Sequence, residues 1–242
     1  MDLHENPGAF GGLPEAPDFA TARCAVLPLP YEGTVTGLKG TAAGPAAILA
    51  ASANMELSDI ETAGEPWRAG IVTMQPLAPA DTPEAMFARI TEAAAPLFAA
   101  GKTVVGLGGE HSVTAGLVEA ARRAHPGVSV LQLDAHADTR DSYDGSAYNH
   151  ACVMARVREH CDIVQVGIRS MDASEAGGVR RSRIHYAHEI GDIGELAEAV
   201  LERLGDQVYV TIDLDVFDPA EMPSTGTPEP GGLSYRPVSY TH

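Results

Sequence analysis

The chain has 242 residues, enough for one large α/β domain whose core needs no disulfide staples. Hydrophobic residues make up 45% and charged residues 20%, a balance that excludes an intrinsically disordered chain. Thirty-three acidic against sixteen basic residues leave a net charge of −17, the wrong sign for tracking a phosphate backbone. That surplus suits a cationic ligand, or carboxylates gathered around a metal.

Residues 1–20 are rich in Gly, Pro and Ala and read as a loose arm. The start lacks the basic and apolar regions of a signal peptide, and no apolar run approaches the roughly 18 residues of a spanning helix. Cys24, Cys152 and Cys161 are scattered, as reduced thiols are. We therefore expect a cytoplasmic protein that binds neither nucleic acid nor membrane.

A regular alternation follows the arm. The apolar run Arg23 to Leu29 predicts a strand, and Gly44-Pro45 opens an Ala-rich helix to about Leu57. A strand over Ala69 to Met74 precedes the helix start Asp81-Thr82-Pro83-Glu84. Met86, Ile90, Ala93 and Leu97 then recur at helical spacing, with a stop at Gly101. Next come a strand at 103–107, a helix at 113–124, a strand at 128–133, a helix at 151–159 and a strand at 163–168. A short strand at 183–186, a helix at 193–204 and a strand at 208–212 complete the series. Continuous apolar strands alternating with helices imply a parallel sheet covered on both faces, with ligands at the carboxyl ends of its strands.

Three of those ends carry metal-ligating residue types. The strand at 103–107 runs into Gly108-Gly109-Glu110-His111-Ser112, and the one at 128–133 into Asp134-Ala135-His136-Ala137-Asp138. The strand at 208–212 runs into Asp213-Leu214-Asp215. In an extended backbone, Asp134, His136 and Asp138 point to one side, as do Asp213 and Asp215. A lone carboxylate at a strand end commonly caps a helix. So many converging would repel and raise one another's pKa values unless a cation lay among them. Oxygen and imidazole donors without thiolate favour manganese ahead of zinc. Six donors exceed the needs of one catalytic zinc and fit two metals roughly 3.5–4 Å apart.

These three segments, the last extended as Thr211-Ile212-Asp213-Leu214-Asp215-Val216-Phe217-Asp218-Pro219, resemble the signatures of the ureohydrolase family, which contains arginase, agmatinase and formimidoylglutamase. The resemblance runs from about Leu27 to Tyr235. It is nearest to agmatinase through Pro30-Tyr31-Glu32-Gly33-Thr34, Tyr148-Asn149-His150-Ala151-Cys152-Val153-Met154 and Thr225-Gly226-Thr227-Pro228-Glu229-Pro230-Gly231-Gly232-Leu233. It implies a three-layer α/β/α fold with a mostly parallel central sheet, formed by a single domain over 21–242. The family's sheet continues after the Gly-Gly-Leu segment with a further interior strand and helices, which this sequence lacks. The resemblance also implies a homo-oligomer, trimeric or hexameric.

By the same resemblance, His111, Asp134, Asp138 and Asp213 hold one Mn2+ and Asp134, His136, Asp213 and Asp215 the other, with Asp134 and Asp213 bridging. His150 corresponds to the proton-shuttling histidine and Glu229 to the carboxylate that pairs with the guanidinium; Asp138 also hydrogen-bonds the attacking oxygen. Glu110 stands where the family often has Asp and is not a ligand. The implied reaction is hydrolysis of a small cationic guanidino compound, foremost agmatine to putrescine and urea. Asp141, Asp144, Tyr143 and Tyr148 suit an amine-ended tail, whereas Arg140 offers a carboxylate partner. Guanidinobutyrate, arginine and formimidoylglutamate remain open as substrates. A single-zinc deacetylase and a non-catalytic homologue are the rival readings.

Overall fold

The structure is a computed structural model that describes residues 9–13 and 17–240. Two wholly parallel sheets form the framework. In the first, β1 (Cys24–Leu29) lies between β2 (Ile71–Thr73) and β3 (Thr103–Gly108), with Cys24 opposite both Ile71 and Thr103. The second runs β6 (Ile184–Tyr186), β5 (Ile163–Ile168), β4 (Ser129–Leu133), β7 (Val208–Ile212). β1 and β4 are apolar runs buried along nearly their whole length, as central parallel strands must be.

The helices follow the residues that start them. Thr82 caps α2 (Pro83–Ala99) by accepting from the Ala85 amide, and Pro83 occupies the first turn, where its missing N–H costs nothing. Met86, Ile90, Ala93 and Leu97 face the core from α2 and pack on α3 (Val113–Ala124). Gly116 permits that approach, since a Cβ there would lie 2.8 Å from Ile90 Cβ and 2.9 Å from the Phe87 carbonyl.

Three predicted helices are shorter in the structure. α1 (Gly44–Ser52) stops before Leu57, where the Ser52 hydroxyl turns back to the Leu49 carbonyl at 2.7 Å and competes with the helical ladder. The segment predicted as helix 151–159 divides into a 3-10 turn at His150–Cys152, capped by Asn149, and α4 (Val153–Val157). α5 (Ile193–Leu201) ends before Leu204, where Arg203 bonds the carbonyls of Ser182 and Ala199. A last helix, α6, spans Tyr235–Tyr240.

Of the predicted N-terminal arm, residues 1–8 and 14–16 lie outside the described residues. Its described part is docked. The Phe10 amide donates to Thr73 Oγ1 and the Gly11 amide to Ser52 Oγ, both at 2.9 Å, and the buried Lys102 ammonium donates to the carbonyls of Phe19 and Ala22.

The parallel sheet expected from the sequence is divided into two, and the edge strands β3 and β7 line one cavity between them. Among the described residues, no strand pairs with the outer edge of either. α3 spans both sheets, with Leu117 in the core under β1 and β3 and Val118 in the core over Val130 of β4. A cavity of about 1450 Å³ runs along the slot between β3 and β7 and opens at its carboxyl end onto the Asp and His cluster. Strand-edge side chains line the slot, and the Asp and His side chains line the cleft at its polar end.

Candidate metal centre

The predicted ligands gather at the carboxyl ends of β3, β4 and β7. Beyond β3 the chain turns at Gly109, where a Cβ would stand 2.2 Å from the Tyr31 carbonyl oxygen, so only glycine lets the loop carrying His111 lie so close to the end of β1. Asp134, His136 and Asp138 follow β4, and Asp213 and Asp215 follow β7. The extended alternation predicted for 134–138 fails at its last member, because Asp138 has a φ of 52°. Its side chain still joins the cluster, held by its own carbonyl, which accepts from the Met154 and Ala155 amides at the start of α4.

His111 Nδ1 lies 2.8 Å from Asp138, 3.1 Å from Asp134 and 3.7 Å from Asp213. His136 Nδ1 lies 3.1 Å from Asp215 and 3.7 Å from Asp134. Ligand atoms of His111, Asp134 and Asp213, and separately of Asp134, His136 and Asp215, fall within 4.8 Å of one another. Asp134 belongs to both groups.

Neighbouring polar groups fix these side chains. His111 Nε2 sits 3.0 Å from Thr211 Oγ1, itself 2.9 Å from Thr114, which leaves Nδ1 as the face turned to the carboxylates. Gln132, held by Gln165 at 2.6 Å, donates to Asp134 at 2.8 Å. Thr227 donates to Asp215 at 3.1 Å.

The electrostatics fit a divalent cation. Burial and the charge of Asp134 push Asp138 up to about 6. Burial with the charges of Asp215 and Asp134 also raises Asp213, though 30% exposure of its side chain leaves water to moderate the rise. Burial disfavours the His136 cation, but hydrogen bonds with Asp134 and Asp215 outweigh it and push His136 up to about 11. His111 is raised by Asp134 and Asp138 in the same way. Four carboxylates thus have two imidazoles as their counter-charges, each recruited as a proton-bearing cation. That is the arrangement a metal would relieve, and the oxygen and imidazole donors match manganese chemistry.

The other two predicted residues border this cluster. Glu229 Oε1 is 3.8 Å from His136 Nε2. His150 is held between two hydroxyls, Thr34 Oγ1 at 3.3 Å from Nδ1 and Thr36 Oγ1 at 3.3 Å from Nε2, while its amide donates to Thr34 at 3.0 Å. Thr34 donates its own hydroxyl proton to Glu110 at 2.8 Å, and Glu110 also accepts from the Ser112 amide and hydroxyl. Its bonds give Glu110 a defined task, tying the Gly-Gly-Glu-His loop to Thr34. The pairing between Thr34 and His150 spans 116 positions and has no sequence periodicity to announce it.

The tail-binding reading of residues 139–148 changes. Asp141 is 86% exposed and pairs with Arg158 at 3.0 Å, Asp144 is exposed in a turn, and Tyr148 packs on Phe87. Only Arg140 and Tyr143 of this group line the cleft. Arg140 is already engaged by Glu175 at 3.4 Å and by the Tyr143 ring at 4.8 Å. These distances follow from long-range docking that composition does not reveal.

No described helix is long and apolar enough to cross a membrane. Residues 22–241 match the arginase family. The chain is 41% identical over 229 residues to the N(1)-aminopropylagmatine ureohydrolase of a Synechocystis strain, covering 90% of this chain and 74% of that protein. It is 42% identical over 231 residues to the enzyme of the same name from Thermus thermophilus, covering 94% of this chain and 78% of that one. It is similar in structure to the agmatine ureohydrolase of Thermoplasma volcanium, with a TM-score of 0.85, 27% identity and coverage of 100% and 81% of the two chains. With its parallel α/β framework and the three strand ends that carry the predicted ligands, the chain belongs to the arginase family.

Proposed function

We propose that the protein hydrolyses the guanidinium group of an alkylamine, agmatine or its N1-aminopropyl derivative, to urea and the free amine, using two manganese ions. The observation that carries this reading is the shared position of Asp134 between two ligand groups, with Glu229 facing the His136 side. Family membership sets aside the single-zinc deacetylase alternative.

In this reading, His111, Asp134, Asp138 and Asp213 hold one ion and Asp134, His136, Asp213 and Asp215 the other. A guanidinium is resonance-stabilised and protonated up to a pKa above about 12, so it resists bulk water. Manganese, when bound, supplies the Lewis acidity that makes water a usable nucleophile near neutral pH. Glu229 orients the planar cation by charge-assisted hydrogen bonds. Asp138 accepts a hydrogen bond from the attacking water. Water adds to the guanidinium carbon, the bond from that carbon to the alkyl nitrogen breaks, and the departing amine takes up a proton.

His150 delivers that proton. Because Thr34 gives its hydroxyl proton to Glu110, its oxygen accepts from His150 Nδ1–H, which leaves Nε2 to accept from Thr36 in the neutral ring. Nε2 is then the nitrogen that takes and returns the proton.

Two features support an amine-ended tail. The net charge of −17 favours polycations, and Arg140 already has Glu175 and Tyr143 as partners, which weakens its claim on a substrate carboxylate. The test is urea release by the manganese-loaded protein from agmatine, N1-aminopropylagmatine, guanidinobutyrate and arginine. The two amine-ended compounds should be hydrolysed in preference. Release from none of the four would return the non-catalytic reading.

A further inference from the structure

Arg169, just beyond β5, has no place in the ligand set or the proton path, yet its guanidinium touches more of the site's backbone than any residue named so far. Its own amide donates to the Ala135 carbonyl at 2.9 Å, which anchors it beside the loop of Asp134 and His136. Its Nη1 donates to Gly167 at 3.2 Å and Val216 at 3.3 Å. Its Nη2 donates to the carbonyls of Asp215 at 2.5 Å, Glu229 at 2.8 Å and Phe217 at 3.2 Å, and Nε donates to Glu229 at 3.2 Å. No carboxylate forms an ion pair with it among the described residues.

We propose that Arg169 is a positioning residue that sets the distance between the Asp215 turn and the Glu229 loop, and so between the metal cluster and the guanidinium clamp. The inference rests on the reading of Glu229 as that clamp. One nitrogen, Nη2, bonds both Asp215 and Glu229 carbonyls, so the two segments share a single donor. The loop's other ties lie to either side, Thr227 on the Asp215 carboxylate and the Gly231 and Gly232 amides on Asp218. Between them, Arg169 is what holds Glu229 itself. A planar five-donor fork is needed for this, because a lysine ammonium has three donors and no fixed plane. Gly167, whose carbonyl accepts from Arg169, has a φ of 93° that favours glycine, and a Cβ there would lie 2.8 Å from Val216 Cγ2 and 3.1 Å from the Asp134 carbonyl.

The test is a double-mutant cycle on manganese-loaded protein, with Arg169→Met and Arg169→Lys made alone and combined with Glu229→Gln. KM and kcat for agmatine and N1-aminopropylagmatine, bound manganese, and hydrogen exchange over residues 224–232 are followed. Arg169→Met should raise KM at least tenfold, keep both ions and speed exchange in the loop. In the Glu229→Gln background it should add less than threefold, because both changes remove one clamp. Arg169→Lys keeps charge and stem and guards against misfolding; it should show the same KM effect in weaker form. Full additivity, loss of manganese in step with activity, or a lysine variant equal to wild type with an unchanged loop would overturn the proposal. A Glu229→Gln variant with normal KM would instead remove the clamp reading itself, and with it this role for Arg169.

Discussion

Asp134 is the residue on which both ligand groups depend. Asp134→Ala should therefore cost both manganese ions, whereas His111→Ala should weaken mainly one; metal content of the two purified variants checks this. Retention of two ions by Asp134→Ala would break the shared-ligand geometry. On the role proposed for Glu229, Glu229→Gln keeps size and hydrogen bonding but removes the charge that would face the guanidinium. A hydrogen bond to a charged group is worth about 1.5–3 kcal/mol, which corresponds to roughly a ten- to hundred-fold loss of kcat/KM. The loss should be similar for every guanidino substrate, because all share the headgroup, and steady-state kinetics on two of them measure it. The cluster was legible in the sequence because three strand ends each carry their ligands within five positions. The residues that orient those ligands were not. Thr34 reaches His150 and Thr211 reaches His111 across 100 or more positions, and Arg169 acts through backbone carbonyls, which no local pattern marks. Gln132 reaches Asp134 from two positions away, but its own support, Gln165, lies 33 positions on.

At the scale of elements, glycines and caps decide how closely the ligand loops approach. A methyl group at position 109 would meet the Tyr31 backbone at 2.2–3.0 Å, with no flexible side chain to give way. Gly109→Ala should thus destabilise the fold by about 1–3 kcal/mol and displace His111; thermal unfolding with and without manganese tests both parts. The wild-type melting temperature in that variant would refute the close packing. Strand and helix starts were readable where a cap or a continuous apolar run stood alone, as at Thr82 and over Ile163–Ile168. Helix limits were harder, because Ser52 ends α1 by bonding back to Leu49 while also accepting from the distant Gly11 amide, and Asn149 starts a 3-10 turn by accepting from Ala151. The division of 151–159 likewise follows from Asp138, whose carbonyl takes the first amides of α4.

Across the whole molecule, two features bear on stability: the edges of β3 and β7, unpaired on one side among the described residues, and the charge of the cluster. Among the described residues, β1 and β4 are paired on both sides, whereas β3 and β7 are each paired on one. Hydrogen exchange should accordingly be slower in β1 and β4 than in β3 and β7, and equal protection in all four would contradict the open slot. The metal-free cluster also sets a pH dependence. A carboxyl group raised on folding, such as Asp138 at about 6 and Asp213 above its usual value, lends stability that is complete below its unfolded pKa and is lost as pH rises through the folded one. The raised histidines lose theirs in the same direction, starting above the usual imidazole value. The metal-free melting temperature should fall from pH 5 to 9, and manganese should restore it most at the alkaline end. A rise over that range would show that the carboxylates do not oppose one another. The most direct measurement is anomalous scattering at the manganese edge from crystals of the loaded protein. We expect two peaks roughly 3.5–4 Å apart, both within bonding distance of Asp134, one on the His111 side and one beside His136. A single peak, or peaks away from Asp134, would contradict the binuclear centre.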